Sequence, residues 1–497
     1  MYLLVPGFGY LCDRHGPGTI SLLSALLFGV GYLLAAFTYR AGPPPSVGGD
    51  GWAVAVMVLA FFLVGTGTSS MYLSAVTTAA KNFGRGKNKG IALAIPIASF
   101  GLSGMFLSQI GSKILYERRE DGYHGDVDVY RFFLFLACLL VVVGLIGGLT
   151  LQIVSEEELI DDAVDELERS GLLDSSDFYQ RAIHQNGYGT LSDADLSESQ
   201  VDYLRSKADE LKVRAQEERR KKTWLLNEET RQFLNDRTMW FLAAGFFLVT
   251  GPGEAFINNL GTIIGTLYSS DTLLTTTSTS AATHISIVAV SSTVARLFTG
   301  TLSDALAPVE TSLQHKRQRV SSTSASVESL RAYADVSPDT NFRVSRVCFL
   351  IFFALVLSAG QVLLASGVVQ DHAERFAYVS ALVGAGYGAV FSLVPIIISV
   401  VWGVENFGTN WGIVAMVPAA GAAVWGFMYS AVYQNATVST FFFSKAPSSS
   451  EDDVLCHGVK CYAPTFWAMA VSVWIACALW GWAWRGPGGW RRRGIAV

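Results

Sequence analysis

The sequence predicts an all-α membrane protein of two pseudo-symmetric helical bundles, with about 10 full spans and a partial helix at the N-terminus. Three observations predict this fold class. Of 497 residues 51% are hydrophobic, only 15% are charged, and the mean hydropathy is +0.37, which is too apolar for a water-soluble domain. Apolar stretches of about 20 residues recur along the chain, as membrane-spanning helices require. Two sequence patterns each occur twice in the same order, as expected for homologous bundles.

Each residue of an α-helix adds about 1.5 Å toward a bilayer core of about 30 Å. The stretches that satisfy this length are Thr19–Tyr39, Trp52–Ala79, Gly90–Ile114, Phe132–Ile153, Thr238–Ile264, Ala281–Leu302, Val347–Gly367, Phe376–Trp402, Trp411–Tyr433 and Phe466–Trp484. Met1–Leu11 is also apolar but would cover only about 17 Å. It is predicted to be the last part of a spanning helix.

Charge divides the chain into four predicted regions. Residues 155–236 hold 21 acidic and 11 basic residues, a net charge of −10, while the whole chain carries −5. This acidic stretch predicts a partly disordered cytoplasmic linker over residues 154–236, with amphipathic helical patterns near its two ends. The linker separates a first bundle, residues 1–153, from a second bundle, residues 237–485. Residues 486–497 are predicted to form a basic cytoplasmic tail.

Basic residues in loops predict the orientation, because Lys and Arg concentrate on the cytoplasmic side of membrane proteins. The predicted cytoplasmic side holds Arg14, Lys81, Arg85, Lys87, Lys89, the stretch 316–346, Arg491, Arg492 and Arg493. The predicted opposite loops, 42–51, 269–279 and 435–464, are poorer in basic residues.

The loop 435–464 contains features of an oxidising, non-cytosolic compartment. Asn435 begins the only N-x-S/T sequon of the chain, and Cys456 and Cys461 are the only closely spaced cysteines. We predict a disulfide between these cysteines, with two free surface thiols as the alternative. Asn435 is a candidate glycosylation site, unless it lies too close to the membrane.

Internal repetition is the strongest pointer to function. The pattern Gly9-x3-Asp13-Arg14-x-Gly16 has a counterpart in Gly300-x3-Asp304. Asn82-Phe83-Gly84 leads into Gly90-Ile91-x4-Pro96, and Asn406-Phe407-Gly408 leads into Gly412-Ile413-x4-Pro418. Both correspondences keep their order relative to the predicted helices, which favours two bundles packed around a central pathway. Pro96, Pro252 and Pro418 fall within predicted spans and are predicted to kink them.

The first pattern resembles the loop motif between helices two and three of the major facilitator superfamily, and Arg296-x3-Gly300-x3-Asp304 resembles its second copy after helix eight. The resemblance implies a gating clamp formed by Gly9, Asp13, Arg14, Gly16, Arg296, Gly300 and Asp304. In that clamp each Asp caps the helix that follows it and pairs with basic residues across the bundle interface.

The stretches Gly9–Pro17, Asn82–Gly84, Gly251–Asn259 and Thr293–Gly300 are similar to fungal monocarboxylate-transporter homologues of the vacuolar membrane. This resemblance implies a transporter of a small organic solute. Because the loop motif should follow helix two, it also implies that helix one is absent from this sequence. A gene model that starts at an internal Met is the preferred explanation, and a truncated isoform is the alternative.

Ionisable residues inside predicted spans are candidate transport residues, because burying a charge in a membrane is costly. Glu254 follows Gly251-Pro252-Gly253, which is predicted to interrupt its helix and expose backbone groups to solute, with Asn258 and Asn259 close behind. The alternative is a simple kink whose carboxylate faces a polar loop.

His284 and Arg296 are the other candidates. His284 is predicted at a depth comparable to Glu254, where the pair would titrate and couple transport to protons; the alternative is an interfacial histidine. Arg296 should lie about 12 Å from the turn at Asp304, where it could bind an anionic solute or belong only to the clamp. Ser292 and Leu297 replace the Asp and Pro that monocarboxylate transporters have beside this arginine, which weakens a prediction of lactate or pyruvate.

No metal-ligand spacing, nucleophile elbow or catalytic carboxylate pair is present in the sequence, and basic residues anchor loops without forming a nucleic-acid surface. We therefore predict no enzyme, no cofactor, no metal and no nucleic-acid partner. The predicted function is secondary transport of a small organic solute, with a carboxylate and protons as candidate substrates, by a monomer among membrane lipids. The alternative is a transport-incompetent receptor of the same fold.

The vacuolar membrane is the predicted location and the plasma membrane the alternative. Glu168, Leu172 and Leu173 have the spacing of an acidic dileucine sorting signal for an adaptor, or form the apolar face of a short helix.

Overall fold

A computed structural model describes residues 4–45, 48–84, 86, 88–118, 124–154, 228–267, 281–306, 344–443 and 456–497. The sorting pattern at Glu168, Leu172 and Leu173 lies outside these residues, as do most of the linker and most of the basic stretch 316–346. Nearly all of the described chain is helical.

The first bundle begins with a short helix and continues with four long ones. They are α1 (Val5–His15), α2 (Pro17–Arg40), α3 (Val54–Phe83), α4 (Lys89–Lys113) and α5 (Val129–Thr150). A hairpin of β1 (Tyr116–Arg118) and β2 (His124–Val127) joins α4 to α5, with antiparallel pairing. The sequence analysis did not predict this hairpin.

The end of the linker and the second bundle together contain nine α-helices, counted over the described residues, of which the first belongs to the linker. They are α6 (Glu228–Asn235), α7 (Arg237–Asn258), α8 (Leu260–Thr266), α9 (Ala281–Leu306), α10 (Arg346–Ala365), α11 (Ala373–Trp402), α12 (Phe407–Ala415), α13 (Val417–Phe443) and α14 (Ala463–Arg485). Across both bundles, ten described segments are long and apolar enough to cross a membrane. Large apolar side chains such as Phe427, 79% exposed, and Leu149, 78% exposed, lie on the outside, as expected where lipid is the solvent.

The predicted interruption at Pro252 is wrong, because α7 continues through Pro252 to Asn258. A proline leaves the carbonyl four residues earlier without its helical donor. That carbonyl belongs to Leu248, and it accepts a hydrogen bond from the Ser472 hydroxyl of α14 at 3.0 Å. The helix breaks instead at Asn259, whose side-chain amide donates to the Ala255 carbonyl at 2.8 Å.

The other two prolines differ from each other. Pro96 lies within the continuous helix α4. Pro418 follows a one-residue interruption at Met416, since α12 ends at Ala415 and α13 begins at Val417. One of the two helices that share the repeated Gly-Ile-x4-Pro pattern is therefore divided at its proline, and the other is not.

At the end of the bundles opposite to Asp13 and Asp304, the predicted loop 435–464 is shorter than expected. Helix α13 reaches Phe443, so Asn435 lies within a helix and not in a loop. Cys456 and Cys461 are joined in a disulfide. Between them, the Gly458 amide donates to the Thr266 carbonyl at 2.9 Å and so connects this turn to α8.

At the end that holds Asp13 and Asp304, which we call the basic end, the C-terminal tail is folded against the second bundle. Trp490 is fully buried, and its indole N–H donates to the Thr238 hydroxyl at 2.9 Å. The Trp402 ring contacts Trp490 on one side and Phe233 of α6 on the other, with centroid distances of 6.1 and 5.0 Å. The last helix of the linker and the tail thus share one aromatic contact at the end of α11.

Candidate solute site and interbundle gate

Asp13, at the end of α1, reaches across to the second bundle. Its carboxylate accepts from both the backbone N–H and the hydroxyl of Thr409, each at 2.8 Å. Thr409 is the third residue of α12, so Asp13 satisfies an N–H that has no partner within that helix. Lys81 of α3 forms an ion pair with the same carboxylate at 2.7 Å.

Asp304, near the end of α9, makes the reciprocal contact with the first bundle. Its two carboxylate oxygens accept from the backbone N–H groups of Gly90 and Ile91 at 2.7 and 2.9 Å. These residues occupy the second and third positions of α4. Each bundle therefore caps one helix of the other at the basic end, where the helix N-terminus also favours a negative charge.

Glycines allow this close approach. A Cβ on Gly300 would lie 2.6 Å from the Ala94 Cβ and 2.9 Å from the Gly90 carbonyl oxygen. On the other side, a Cβ on Gly9 would collide with the Gly408 carbonyl. The repeated glycines of the motif are thus required for backbone contact between the bundles.

The structure corrects three details of the predicted clamp. Neither Asp caps the helix that follows it, and the ion pair of Asp13 with Lys81 stays within the first bundle. Arg14 is exposed and donates to the Tyr10 hydroxyl at 3.0 Å, so it makes no described contact across the interface. Gly16 ends α1 with a φ of 86°, a conformation that favours glycine.

Arg296 adds a third contact between the bundles, deeper than the two caps. The side chain is only 4% exposed, and its guanidinium donates to the Ile97 carbonyl of α4 at 2.6 Å. Gly101 lies one turn after Ile97 on α4, and any Cβ at this position would collide with the Arg296 guanidinium. Arg296 thus joins α9 of the second bundle to α4 of the first, and its role in gating stays a prediction.

Glu254 lies in the same part of the interior as Arg296, within electrostatic range of it. Tyr387 of α11 donates its hydroxyl to the Glu254 carboxylate. Gly253 makes room for that tyrosine, because a Cβ there would lie 2.6 Å from the Tyr387 ring. The guanidinium of Arg296 is within electrostatic range of Glu254, Tyr387 and Tyr72. The interior therefore combines one carboxylate, one guanidinium and two tyrosines.

Several hydrogen-bond donors in this interior lack an acceptor of good geometry among the described residues. Nε of Arg296, the hydroxyl of Tyr72 and the indole nitrogen of Trp411 are buried and form no such bond, although the Trp411 indole lies close to the Tyr72 hydroxyl. Buried donors normally find partners, so this group is suited to an acceptor-rich ligand. Tyr72, Tyr387 and Trp411 were not predicted, because a polar aromatic residue within an apolar run gives no distinct signal.

His284 does not join this group. It is 2% exposed, its Nδ1 lies 3.0 Å from the Ser380 hydroxyl, and its ring contacts Phe376 at 4.7 Å. Ser380 and Tyr387 are seven residues apart on α11, so His284 and Glu254 differ in depth by about 10 Å. The prediction that these two residues lie at comparable depth is wrong.

The two predicted asparagines also lie outside the group. Asn258 ends α7 as an exposed residue. Asn259 uses its side-chain amide to stabilise the helix break at this point. The structure thus brings together Glu254 and Arg296, and it separates Asn258, Asn259 and His284 from them.

Two membrane-spanning bundles, joined by polar contacts around a buried polar interior, define a membrane transporter. The profile of the Major Facilitator Superfamily matches residues 1–426, and the chain belongs to this family.

Named relatives agree with this assignment. "Probable transporter mch1" of Neurospora crassa is 53% identical over 513 residues, which cover 100% of this chain and 82% of that protein. "Probable transporter mch1" of Aspergillus fumigatus is 55% identical over 515 residues, 100% of this chain and 79% of that protein. "Probable transporter MCH1" of Saccharomyces cerevisiae is 25% identical over 456 residues, 88% of this chain and 76% of that protein. The predicted superfamily and the similarity to fungal transporter homologues are confirmed.

Among solved structures, the proton:xylose symporter XylE bound to 6-bromo-6-deoxy-D-glucose has the same fold. The TM-score is 0.56 at 13% sequence identity, with 98% of this chain and 83% of that chain covered.

Proposed function

We propose that this protein is a secondary transporter that moves a small organic carboxylate across a membrane by alternating access. The reciprocal capping by Asp13 and Asp304 carries the proposal of alternating access. Caps of this kind are short, polar and separable, so two rigid bundles can part at the basic end without exposing a continuous apolar core. The described arrangement then corresponds to the state that is closed at the basic end.

The donors without acceptors support a carboxylate as the solute. Arg296, Tyr72 and Trp411 supply N–H and O–H groups in a buried, low-dielectric interior. A carboxylate accepts several hydrogen bonds at once and pairs well with a guanidinium. Because Arg296 also contacts Ile97 in the first bundle, a solute bound there would compete with or rearrange the deepest contact of the gate.

The Glu254–Tyr387 pair supports proton coupling. A buried carboxylate without a full ion-pair partner is costly, so it favours uptake of a proton when its surroundings change. A solute carboxylate that approaches Arg296 would bring a second negative charge toward Glu254 and increase that tendency. Symport of a proton with the anionic solute follows from this arrangement. His284 has no part in it.

Counterflow in vesicles tests the function. Purified full chain in proteoliposomes is loaded with unlabelled lactate, acetate or succinate, and uptake of the same labelled compound is followed. We expect accumulation with at least one carboxylate and its loss in Arg296→Gln. Arg485→Gln is the matched control, because Arg485 is exposed and only stacks on Trp484.

Two results would contradict the proposal. Binding of a labelled carboxylate without exchange would favour the receptor of the same fold. Exchange that is equally strong for neutral solutes and insensitive to Arg296→Gln would remove the carboxylate assignment.

We further propose the vacuolar membrane as the location. The support is the predicted similarity to vacuolar homologues and the dileucine pattern at Glu168, Leu172 and Leu173. Imaging of a tagged chain against vacuolar and plasma-membrane markers tests it, with Leu172→Ala/Leu173→Ala as the variant that should mislocalise if an adaptor reads the pattern.

A further inference from the structure

Both helices that are capped from the opposite bundle begin with an asparagine that leaves its own helix uncapped. Asn88 precedes α4 and Asn406 precedes α12, and neither side chain makes a capping hydrogen bond. Their backbones are nearly the same, with φ and ψ of −98° and 28° for Asn88 and of −102° and 31° for Asn406. The two bundles thus repeat one unusual helix start.

Asparagine is among the best N-cap residues, because its side-chain oxygen accepts from the N–H of the second or third helical residue. A capping residue normally has an extended backbone, with ψ well away from the values near 30° found here. The N–H groups that Asn88 would take, those of Gly90 and Ile91, are bonded to Asp304. The N–H that Asn406 would take, that of Thr409, is bonded to Asp13.

We propose that Asn88 and Asn406 exchange with Asp304 and Asp13 as N-caps of α4 and α12 when the basic end opens. Closed, each helix is capped by the other bundle; open, each is capped by its own asparagine after rotation about ψ. This exchange deepens the proposed function and rests on it, because it names the residues that stabilise the second state. Without them, opening would leave the N–H groups of both helix starts without their caps.

The linker takes part at one of the two positions. The Asn406 side-chain amide donates to the Glu229 carboxylate of α6 at 2.6 Å. Helix α6 is held in place by Phe233, which is 1% exposed and contacts the Trp402 ring. Docked α6 therefore keeps Asn406 out of the capping position, and its release frees Asn406 to stabilise the open state. Asn88 is exposed and has no described side-chain bond, so among the described residues only Asn406 is held away from capping by α6.

The first bundle holds the other end of the linker in a comparable way. The Asn82 side chain donates to the Gln152 carbonyl at 2.9 Å and accepts from the Val154 N–H at 3.1 Å. This two-point contact fixes the chain just after α5, four residues after Thr150. The repeated Asn-Phe-Gly pattern thus uses Asn82 and Asn406 to hold the two ends of the linker, but only Asn406 also begins a capped helix.

Distance measurement between the bundles tests the exchange without any solute. Spin labels at Gly86→Cys and Arg491→Cys, both exposed at the basic end, report closed and open populations in a background without the four free cysteines. An N-cap contributes roughly a fivefold change in an equilibrium, so Asn88→Ala should lower the open-to-closed ratio about fivefold. Asn88→Ser, which restores a capping side chain, should stay close to the unmodified protein.

A double-mutant cycle of Glu229 and Asn406 tests whether the linker affects the open-to-closed ratio. Glu229→Ala should raise the open-to-closed ratio severalfold, while Glu229→Gln, which keeps an acceptor for Asn406, should change it little. In an Asn406→Ala background, Glu229→Ala should have no further effect, because the residue that it releases is absent.

Each outcome decides between the proposals. If Asn88→Ala and Asn88→Ser have the same ratio as the unmodified protein, cap exchange is wrong although alternating access stands. If Glu229→Ala acts equally with and without Asn406, the linker acts by another route and that half of the inference fails. A single distance in every variant, Asp13→Ala/Asp304→Ala included, would overturn alternating access and cap exchange together.

Discussion

A carboxylate in a membrane interior needs compensation, and at Glu254 most of it comes from one hydroxyl. Tyr387 donates to the carboxylate, while Arg296 is close enough to act on it electrostatically but is bonded to Ile97 of the other bundle. Under the proposed alternating access, this compensation would depend on whether the bundles are closed at the basic end. Opening would remove the partner of Arg296 in α4 and so change the balance between Glu254 and Arg296.

We expect Glu254→Gln to make uptake of the transported carboxylate insensitive to external pH between about 5 and 7, because the side chain that exchanges the proton is then permanently neutral. Initial rates in proteoliposomes across this range measure the effect. Glu374→Gln is the matched control, since Glu374 is exposed in the first turn of α11. A full pH response in Glu254→Gln would show that another group couples the proton.

Gly253 positions the same pair. We expect Gly253→Ala to displace the Tyr387 ring and to destabilise the protein by about 1–3 kcal/mol, as overpacking of a filled interior does. Gly261→Ala on α8 is the control, because its added Cβ meets no atom within 4 Å apart from its chain neighbours and the backbone of its own helix. Thermal denaturation in detergent compares the two. A Gly253→Ala protein as stable as Gly261→Ala would mean that the tyrosine adjusts freely.

At the scale of single residues, the sequence predicts which charged side chains matter but not which side chains lie next to them. Glu254 and Arg296 stand out because ionisable residues are rare in spans, whereas Tyr387 resembles lipid-facing Tyr378, which is 66% exposed. The depth of His284 was misjudged because helical rise fixes spacing within one helix, while the offset between neighbouring helices depends on their packing.

Among the elements, the start of α7 is fixed at the basic end by contacts with the tail and with α11. Asp236 caps α7 through Thr238 and accepts hydrogen bonds from Nη1 and Nη2 of Arg493 at 2.6 and 2.7 Å. Trp402 donates to the same carboxylate at 3.1 Å. Linker, α7, α11 and tail therefore meet at one side chain. A surface described from sequence as a basic tail is here part of the folded second bundle.

The direction in which pH changes the stabilisation by Asp236 and Arg493 follows from the pKa of Asp236. Burial alone would raise the pKa of Asp236, but hydrogen bonds from Arg493 and Thr238 outweigh it and lower the pKa below its ordinary value. The stabilisation is thus present above the unfolded-state pKa of about 3.9 and is lost as pH falls through the lower folded-state value. We expect Arg493→Gln to reduce the denaturation temperature at pH 7, and the difference from the unmodified protein to shrink below about pH 4.

Arg492→Gln serves as the control for this prediction, because Arg492 is exposed beside Arg493 and has no described contact with Asp236. A deficit in Arg493→Gln that persists unchanged at acid pH would indicate that lost packing, and not the ion pair, sets the effect.

The positions of the membrane-spanning helices were predicted better than the points at which those helices break. Every predicted span overlaps a helix because long apolar runs have few alternatives in a membrane. The break assigned to Pro252 failed because Ser472, more than two hundred residues away, supplies the missing donor to Leu248. The hairpin at Tyr116 and Val127 was missed because such short strands carry little periodicity.

At the scale of the whole molecule, the bundles are joined at the basic end by two distant caps of the same kind. Sites that share no partners act independently. We expect Asp13→Ala and Asp304→Ala each to raise the open-to-closed ratio about fivefold, and the double variant about 25-fold. Spin-label distances between the bundles measure the ratios.

Asp128→Ala is the control for the caps, because Asp128 caps α5 within the first bundle, accepting from the Arg131 N–H at 3.0 Å. It should weaken a helix without changing the ratio. An equal shift in Asp128→Ala would mean that any lost cap loosens the fold, and that the interbundle position of Asp13 and Asp304 is irrelevant.

The disulfide between Cys456 and Cys461 lies at the end of the molecule opposite to the gate, while the other four cysteines are free. Its formation needs an oxidising compartment, so it records on which side of the membrane this turn matured. In denatured protein from cells, a thiol-reactive polymer should add four units before reduction and six after it. The unmodified chain thereby carries its own topology marker, and a gel-mobility ladder can determine its orientation without an inserted tag.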